Sequence, residues 1–228
     1  MQNNGKCYPS DEEAKELIIE IGKRIYNRGF VAANDGNISV LVSDNELWAT
    51  PTGVSKGFMT QDILVKTDLD GNILEGDSKP SSEIKMHYRV YKENPCAKAV
   101  VHAHPPMATA YAVMGRPLDK AYLTEGVLQL GVVPLVPYAT PTTEEVPESV
   151  APYCKEYHAM LLERHGALTW GRDALEAWRR MEAVEYCANA VHIIEGTMHE
   201  PKSLSKEQIE KLISIREAMG ITTGGIPV

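Results

Sequence analysis

Three histidines carry the strongest chemical signal in this 228-residue sequence. His102 and His104 lie two apart behind the apolar run Ala99-Val100-Val101, so on a strand both rings leave the same face and can share one ion. Pro105-Pro106 breaks that strand and leaves the rings at its C-terminal end. His165, within Glu163-Arg164-His165-Gly166 at the end of another apolar run, is the candidate third ligand, and Gly166 lets the backbone turn closely past a ligand. Three imidazoles with one open position make a catalytic zinc site. Spacing alone leaves the bland alternative open, in which two histidines sit near the surface and the third caps a strand. His87 and His192 fall on helical faces as packed or surface residues, and His158 and His199 fall at loop or helix-end positions.

The second signal is acidic. Glu83 follows Ser81-Ser82 where a helix should begin, so two hydroxyls and free backbone N–H groups meet the positive end of a helix dipole. Taken alone, the pattern is better read as a plain helix cap with an acid in the first turn. Two further polar glycine turns, Asn34-Asp35-Gly36-Asn37 and Thr50-Pro51-Thr52-Gly53, could aim more donors at the same oxygens. Phosphate is the natural guest of such a seat. A chain of net charge −8 repels a dianion overall and would need these local donors to bind one.

These groups need a scaffold, and the sequence supplies one of α/β type. Ser10 and Glu13 form a capping box ahead of Ala14, Leu17, Ile18, Ile21 and Ile25 at helical spacing, and Gly29 stops the run. Residues 37–42, 47–51 and 63–67 read as strands, with Asp70-Gly71 as a hairpin turn. A second helix is predicted from Ser81 or Ser82 to Asn94, with Ile84, His87, Tyr88 and Tyr91 inward. Residues 98–104 read as a central strand, and 132–137 and 159–163 as shorter ones. Helices are predicted over 107–114, 144–157 and 173–196, and a last one from the Ser205/Gln208 capping box to Gly220. Without an internal repeat or a long linker, residues 1–228 read as one domain, with helices covering a mostly antiparallel or mixed sheet.

Composition removes several function classes. At 43% hydrophobic and 24% charged residues the chain is of globular type, and no apolar run is long enough for a membrane helix. Scattered basic residues within a net charge of −8 argue against nucleic-acid and anionic-membrane partners. Residues 1–13 lack a secretory pattern, which predicts a cytoplasmic location. Cys7, Cys96, Cys154 and Cys187 form no CxxC pair and read as reduced, mostly buried thiols.

Together, Asp35-Gly36-Asn37-Ile38-Ser39, Thr50-Pro51-Thr52-Gly53, Pro80-Ser81-Ser82-Glu83, Val101-His102-Ala103-His104 and Arg164-His165-Gly166 resemble the class II aldolase and sugar-phosphate epimerase family of the fuculose-phosphate aldolase type. The resemblance spans most of the chain. It implies a three-layer α/β fold and a zinc ion, or another divalent cation, on His102, His104 and His165, with Glu83 as a displaceable fourth contact. It implies phosphate held by Gly36, Asn37, Thr52, Gly53, Ser81 and Ser82, and a homotetramer with active sites between subunits. It also implies that Glu83 passes a proton to or from the enediolate carbon, and a raised pKa in a partly dry pocket would assist it. A tyrosine of the neighbouring subunit would protonate the departing aldehyde oxygen. Tyr122 is the candidate for that acid, with interface packing as its alternative role.

The implied activity is cleavage of a ketose 1-phosphate, such as fuculose 1-phosphate, to dihydroxyacetone phosphate and a small aldehyde such as lactaldehyde. Glu83 favours it, because the ribulose-phosphate 4-epimerase branch usually carries Asp there. Epimerases, dehydratases and decarboxylases of the family are the alternatives, and a non-enzymatic module like the adducin head is the alternative of another class. One departure lies beyond Tyr186, where no aromatic residue follows to line an aldehyde pocket.

Overall fold

The computed structural model describes residues 8–197 and 201–228. Cys7 and His199 lie outside the described residues. The first element, helix α1 (Asp11–Asn27), starts at Ser10, whose hydroxyl accepts from Glu13 N while the Glu13 carboxylate accepts from Ser10 N. Its inner stripe of Ala14, Ile18, Ile21 and Ile25 is fully buried, each large aliphatic contributing about 1.5–3 kcal/mol of burial. Strands β1 (Asn37–Leu41), β2 (Glu46–Ala49), β3 (Val65–Asp68) and β4 (Ile73–Glu75) then run as an antiparallel meander, the last pair turning at Gly71.

Helix α2 (Ile84–Glu93) and strand β5 (Ala99–Ala103) follow, then α3 (Pro106–Val113), α4 (Thr124–Gln129), β6 (Leu135–Val136), α5 (Glu145–Val150), β7 (Ala159–Leu162) and β8 (Gly166–Gly171). Two helices complete the chain, α6 (Ala174–Glu195) and α7 (Lys206–Ala218). The strands form one eight-stranded mixed sheet in the order β4-β3-β2-β1-β5-β8-β7-β6, in which only β6 and β7 pair in parallel. Alternation along β5 divides the core: Ala99 and Val101 pack toward α1, α3 and α6, whereas Val100 packs toward α2 and α5. The expected three-layer α/β architecture is therefore present. Among the described residues no helix is long and apolar enough to cross a membrane.

Several boundaries differ from the sequence reading for identifiable reasons. Helix α2 begins at Ile84 rather than at the serines, because Ser81 N is drawn to Thr50 O and Pro51 bridges Pro80, which keeps residues 80–82 out of helical geometry. Helix α5 stops at Val150, and a short 3-10 turn with Pro152 follows. The run 132–137 contributes only the two residues of β6. Strand β8 and helix α4 carried no prediction, although β8 lies between β5 and β7 near the middle of the sheet. Cys154 and Cys187 are buried free thiols, each pushed up to about 12 by burial, whereas Cys96 is exposed.

Candidate metal centre

The site forms where three chain ends meet: the C-terminal end of β5, the start of β1 and the β7–β8 turn. Register does the positioning. Asn37 of β1 pairs with His102 of β5, and His102 also pairs with Leu168 of β8. Asn37, Ser39, Val100 and His102 share the strand parity that faces α2. His104 is one residue past β5, held by donation from its backbone N to Phe30 O, and the chain then turns into α3. Pro105 offers that helix no capping side chain. The Glu185 carboxylate of α6 does so instead, accepting from Met107 N and Ala108 N at 2.9–3.1 Å.

His165 sits in the three-residue turn between β7 and β8, where Arg164 adopts φ +59, an unfavourable conformation for a side-chain-bearing residue. Gly166 is needed here, but for a different reason than close approach to a ligand. A Cβ on it would meet His104 Cδ2 at 2.5 Å and Ala103 O at 2.6 Å. Gly36 has a similar duty: at φ +74, its Cβ would meet His102 O at 2.8 Å. Both glycines let the neighbouring backbone close on the histidine strand.

The three rings converge. His102, His104 and His165 each offer a ring nitrogen, and these atoms all lie within 4.8 Å of one another. His102 is fully buried, and its Nδ1 hydrogen-bonds Ala167 O at 2.9 Å, which leaves Nε2 as a lone pair facing the other rings. His104 Nδ1 lies 3.4 Å from Asp35 Oδ2, an arrangement that likewise turns Nε2 inward. The two Nε2 atoms are 3.1 Å apart. Two lone pairs that close repel each other unless a proton or a cation lies between them, so the residues present fit a bound divalent cation. Burial pushes His102 well below the usual histidine range and lowers His104 as well, keeping both in the neutral, ligating form.

Glu83, the residue immediately before α2, reaches into this cluster. Its Oε1 is 3.0 Å from His165 Nε2 and its Oε2 is 3.5 Å from His102 Nε2. Burial by itself would raise the Glu83 carboxyl, but the hydrogen bond with His165 and the charges of the surrounding imidazoles hold it down at about 2. The raised pKa anticipated from a dry pocket is thus reversed, since the hydrogen bond with His165 and the imidazoles around the carboxylate outweigh its burial. Asn37 completes the contact, donating from Nδ2 to Glu83 Oε2 at 3.2 Å and Ser81 Oγ at 3.3 Å.

Gly36, Thr52, Gly53, Ser81, Ser82, Glu83, His104 and His165 line one cavity of about 240 Å³. The loops around it are stitched together: Thr52 N donates to Lys79 O, Ser81 N to Thr50 O, and Ile38 N to Thr50 Oγ1. Five of the six predicted anion-binding residues line the cavity, and Asn37 reaches it through Ser81 and Glu83. Tyr122 does not line it. It lies in the segment between α3 and α4, beside a second small cavity shared with Tyr111, Arg116 and Glu195. His87 is buried in α2, with Nδ1 2.8 Å from Ser39 Oγ, and His192 is exposed on α6, as expected of packed and surface residues. His158 is buried, with Nε2 3.0 Å from Thr223 Oγ1. Two residues of the cavity wall, Lys56 and Thr142, carried no prediction. A lone lysine between strands and a threonine in a loop have no spacing pattern to mark them, although Thr142 stands out structurally with φ +70.

A helix-covered mixed sheet that brings three imidazoles and a carboxylate to a cleft lined by hydroxyls and glycine turns defines an α/β protein with a candidate divalent-metal centre. The chain belongs to the class II aldolase and adducin N-terminal domain family, which matches residues 16–192. It is 34% identical over 192 residues to a 3-oxo-tetronate 4-phosphate decarboxylase of Haemophilus influenzae, covering 82% of this chain and 90% of the relative. It is 35% identical over 177 residues to an L-fuculose phosphate aldolase of Methanococcus vannielii, covering 78% and 94%. Among solved structures, L-fuculose-1-phosphate aldolase of Thermus thermophilus superposes with a TM-score of 0.73 at 31% identity, covering 83% of this chain and 99% of that one.

Proposed function

We propose that this protein is a divalent-metal-dependent aldolase that cleaves a phosphorylated ketose, of the fuculose 1-phosphate kind, to dihydroxyacetone phosphate and a small aldehyde such as lactaldehyde. The observation that carries the reading is the placement of Glu83 between the histidine triad and the oxyanion donors of a single small cavity. His102, His104 and His165 would hold the cation, zinc being the ion that suits three imidazoles and a carboxylate. When bound, the cation supplies Lewis acidity, stabilising the negative charge that builds on substrate oxygen as the carbon–carbon bond breaks.

The remaining work falls to the chain. Backbone N–H groups at Gly36 and Gly53, the hydroxyls of Thr52, Ser81 and Ser82 and the Asn37 amide would bind the phosphate, fixing the sugar with its carbonyl toward the imidazoles. Glu83, ionised at neutral pH, is a proton acceptor. In the condensation direction it removes a proton from the carbon beside the carbonyl, and in cleavage it returns that proton to the same carbon. Tyr122, from a neighbouring subunit of a tetramer, is proposed to serve the aldehyde oxygen: it protonates that oxygen in condensation, and in cleavage its phenolate accepts the proton that the hydroxyl gives up as it becomes the aldehyde carbonyl. We further propose that residues 1–228 act as one domain and that the enzyme works in the cytoplasm.

Decarboxylation of a phosphorylated keto acid is the second reading, favoured by the 34% identity to the decarboxylase. It also breaks a carbon–carbon bond beside a carbonyl, so the same groups would serve it. An assay of the metal-loaded protein separates the two. Ketose 1-phosphates are supplied with coupled detection of dihydroxyacetone phosphate, and 3-oxo-tetronate 4-phosphate is supplied with detection of carbon dioxide. Release of dihydroxyacetone phosphate is the expected result. Carbon dioxide release alone, or interconversion of pentulose phosphates without cleavage, would remove the aldolase assignment.

A further inference from the structure

Lys56 is 1% exposed in a chain of net charge −8, an unusual place for an ammonium group. Its Nζ donates to Asn34 O at 2.9 Å and to Val54 O at 2.6 Å. Those two carbonyls belong to different loops, one leading to Gly36 and Asn37 and the other following Thr52 and Gly53. The side chain thus buckles together the two turns that offer oxyanion donors, and it lines the same cavity as Ser81, Ser82 and His165. Its base is rigid. The short 3-10 turn Lys56–Phe58 lies directly on α1, where a Cβ at Gly22 would meet Lys56 O at 2.5 Å, and Gly57 abuts the Tyr26 ring.

An ammonium has three N–H donors. Among the described residues two carbonyls accept from it, which leaves one donor and a unit of charge for a group in the cavity. The acidic side chains that act on it, Asp35 and Glu83, face His104 and His165 respectively, so each has a competing partner. A buried charge without full compensation is costly, and a phosphate dianion would supply both the acceptor and the counter-charge.

We propose that Lys56 is the positioning and specificity-determining residue of the phosphate seat, setting the spacing of the 34–37 and 50–54 loops and making the cleft select a phosphorylated over an uncharged sugar end. This rests on the sugar-phosphate reading above, and deepens it.

The test uses the full-length, metal-loaded protein with inorganic phosphate as the probe, followed by calorimetry. Lys56→Met should weaken phosphate binding at least ~10-fold, the size of one charge-assisted hydrogen bond, with metal content unchanged. In turnover, KM for the phosphorylated ketose should rise while kcat changes less, and preference over the unphosphorylated ketose should shrink. Lys56→Arg should restore part of the affinity, which a purely structural buckle would not require. A folded Lys56→Met protein with phosphate affinity within twofold of the wild type overturns the proposal and leaves the aldolase reading standing. Wild-type protein that binds no phosphate overturns both. If Lys56→Met does not fold, the side-chain nitrogen resonance of Lys56 in unaltered protein decides the matter: it should move on addition of phosphate, and an unmoved resonance at saturation rejects the assignment.

Discussion

The two sides of the cleft are built by different means. The imidazole side is a product of strand register: His102 is paired on both flanks, by Asn37 and by Leu168, and its Nδ1 is tied to Ala167 O, which leaves Nε2 for the site. The oxyanion side is a product of turns, held by a few isolated bonds such as Pro51 with Pro80, Ser81 N to Thr50 O and the two donations of Lys56. A ladder is cooperative and a buckle is not. Damage on the strand side should therefore cost stability and ligation together, whereas damage on the turn side should cost ligand affinity while the fold survives.

Glu83 belongs to both sides, and its replacement should have the largest effect. Glu83→Gln is expected to lower kcat by ~10²–10⁴-fold, the usual weight of a general acid–base group, while the three imidazoles keep the metal. Steady-state turnover with elemental analysis of the same preparation checks it, and activity within tenfold of wild type would show that another group carries the proton. Glycine replacements then compare the two sides directly. Gly166→Ala drives a Cβ against Ala103 O and the His104 ring, and should cost about 1–3 kcal/mol in denaturant unfolding as well as metal affinity. Gly53→Ala meets nothing within 4 Å and bears only its φ of +75, so it should cost the smaller ~1–2 kcal/mol and leave metal binding intact. Equal losses in both properties would erase the distinction.

The same division explains what could be read from the sequence. Strands announce themselves by apolar runs and parity, so β5, the shared face of His102 and His104 and the capping boxes of α1 and α7 were all legible. The convergence of His165 with that pair was legible through the family resemblance but not through spacing, because the element that follows it, β8, is a six-residue run bounded by glycines and buried on both faces. The serines before α2 misled the helix start since their partners, Thr50 and Asn37, are 31 and 44 positions away. Lys56 escaped notice for the same reason: its role comes from tertiary closure of two turns, which leaves no periodic trace in the sequence. The lowered Glu83 carboxyl likewise depends on three rings brought together only by folding.

A gentler perturbation probes the strand side without touching a ligand. Asp35→Asn should weaken metal binding about 10-fold, the low end for a partner of a ligating histidine, because the Asp35 side chain is 44% exposed and its 3.4 Å contact with His104 is long. Competition with a chelator of known affinity measures it, and an unchanged dissociation constant would mean that His104 is oriented by its backbone alone.

The smallest effect concerns the turn side and has a definite sign. Burial lowers Lys56 from the usual 10.5 to about 8, with Asp35 and Glu83 acting in the opposite direction. Between pH 8 and 10.5 the unfolded chain then binds more protons at this position than the folded one, so folding stability gains from this residue as the pH rises through that window. Phosphate affinity should move the other way, falling as the ammonium is lost. The comparison is made on the difference between wild type and Lys56→Met, which cancels tyrosines and cysteines titrating in the same range. Wild type should gain stability relative to Lys56→Met from pH 8 to 10.5 while its advantage in phosphate binding disappears. If the two properties instead fell together, deprotonation would be breaking the buckle itself, and the charge on Lys56 would belong to the scaffold rather than to the ligand.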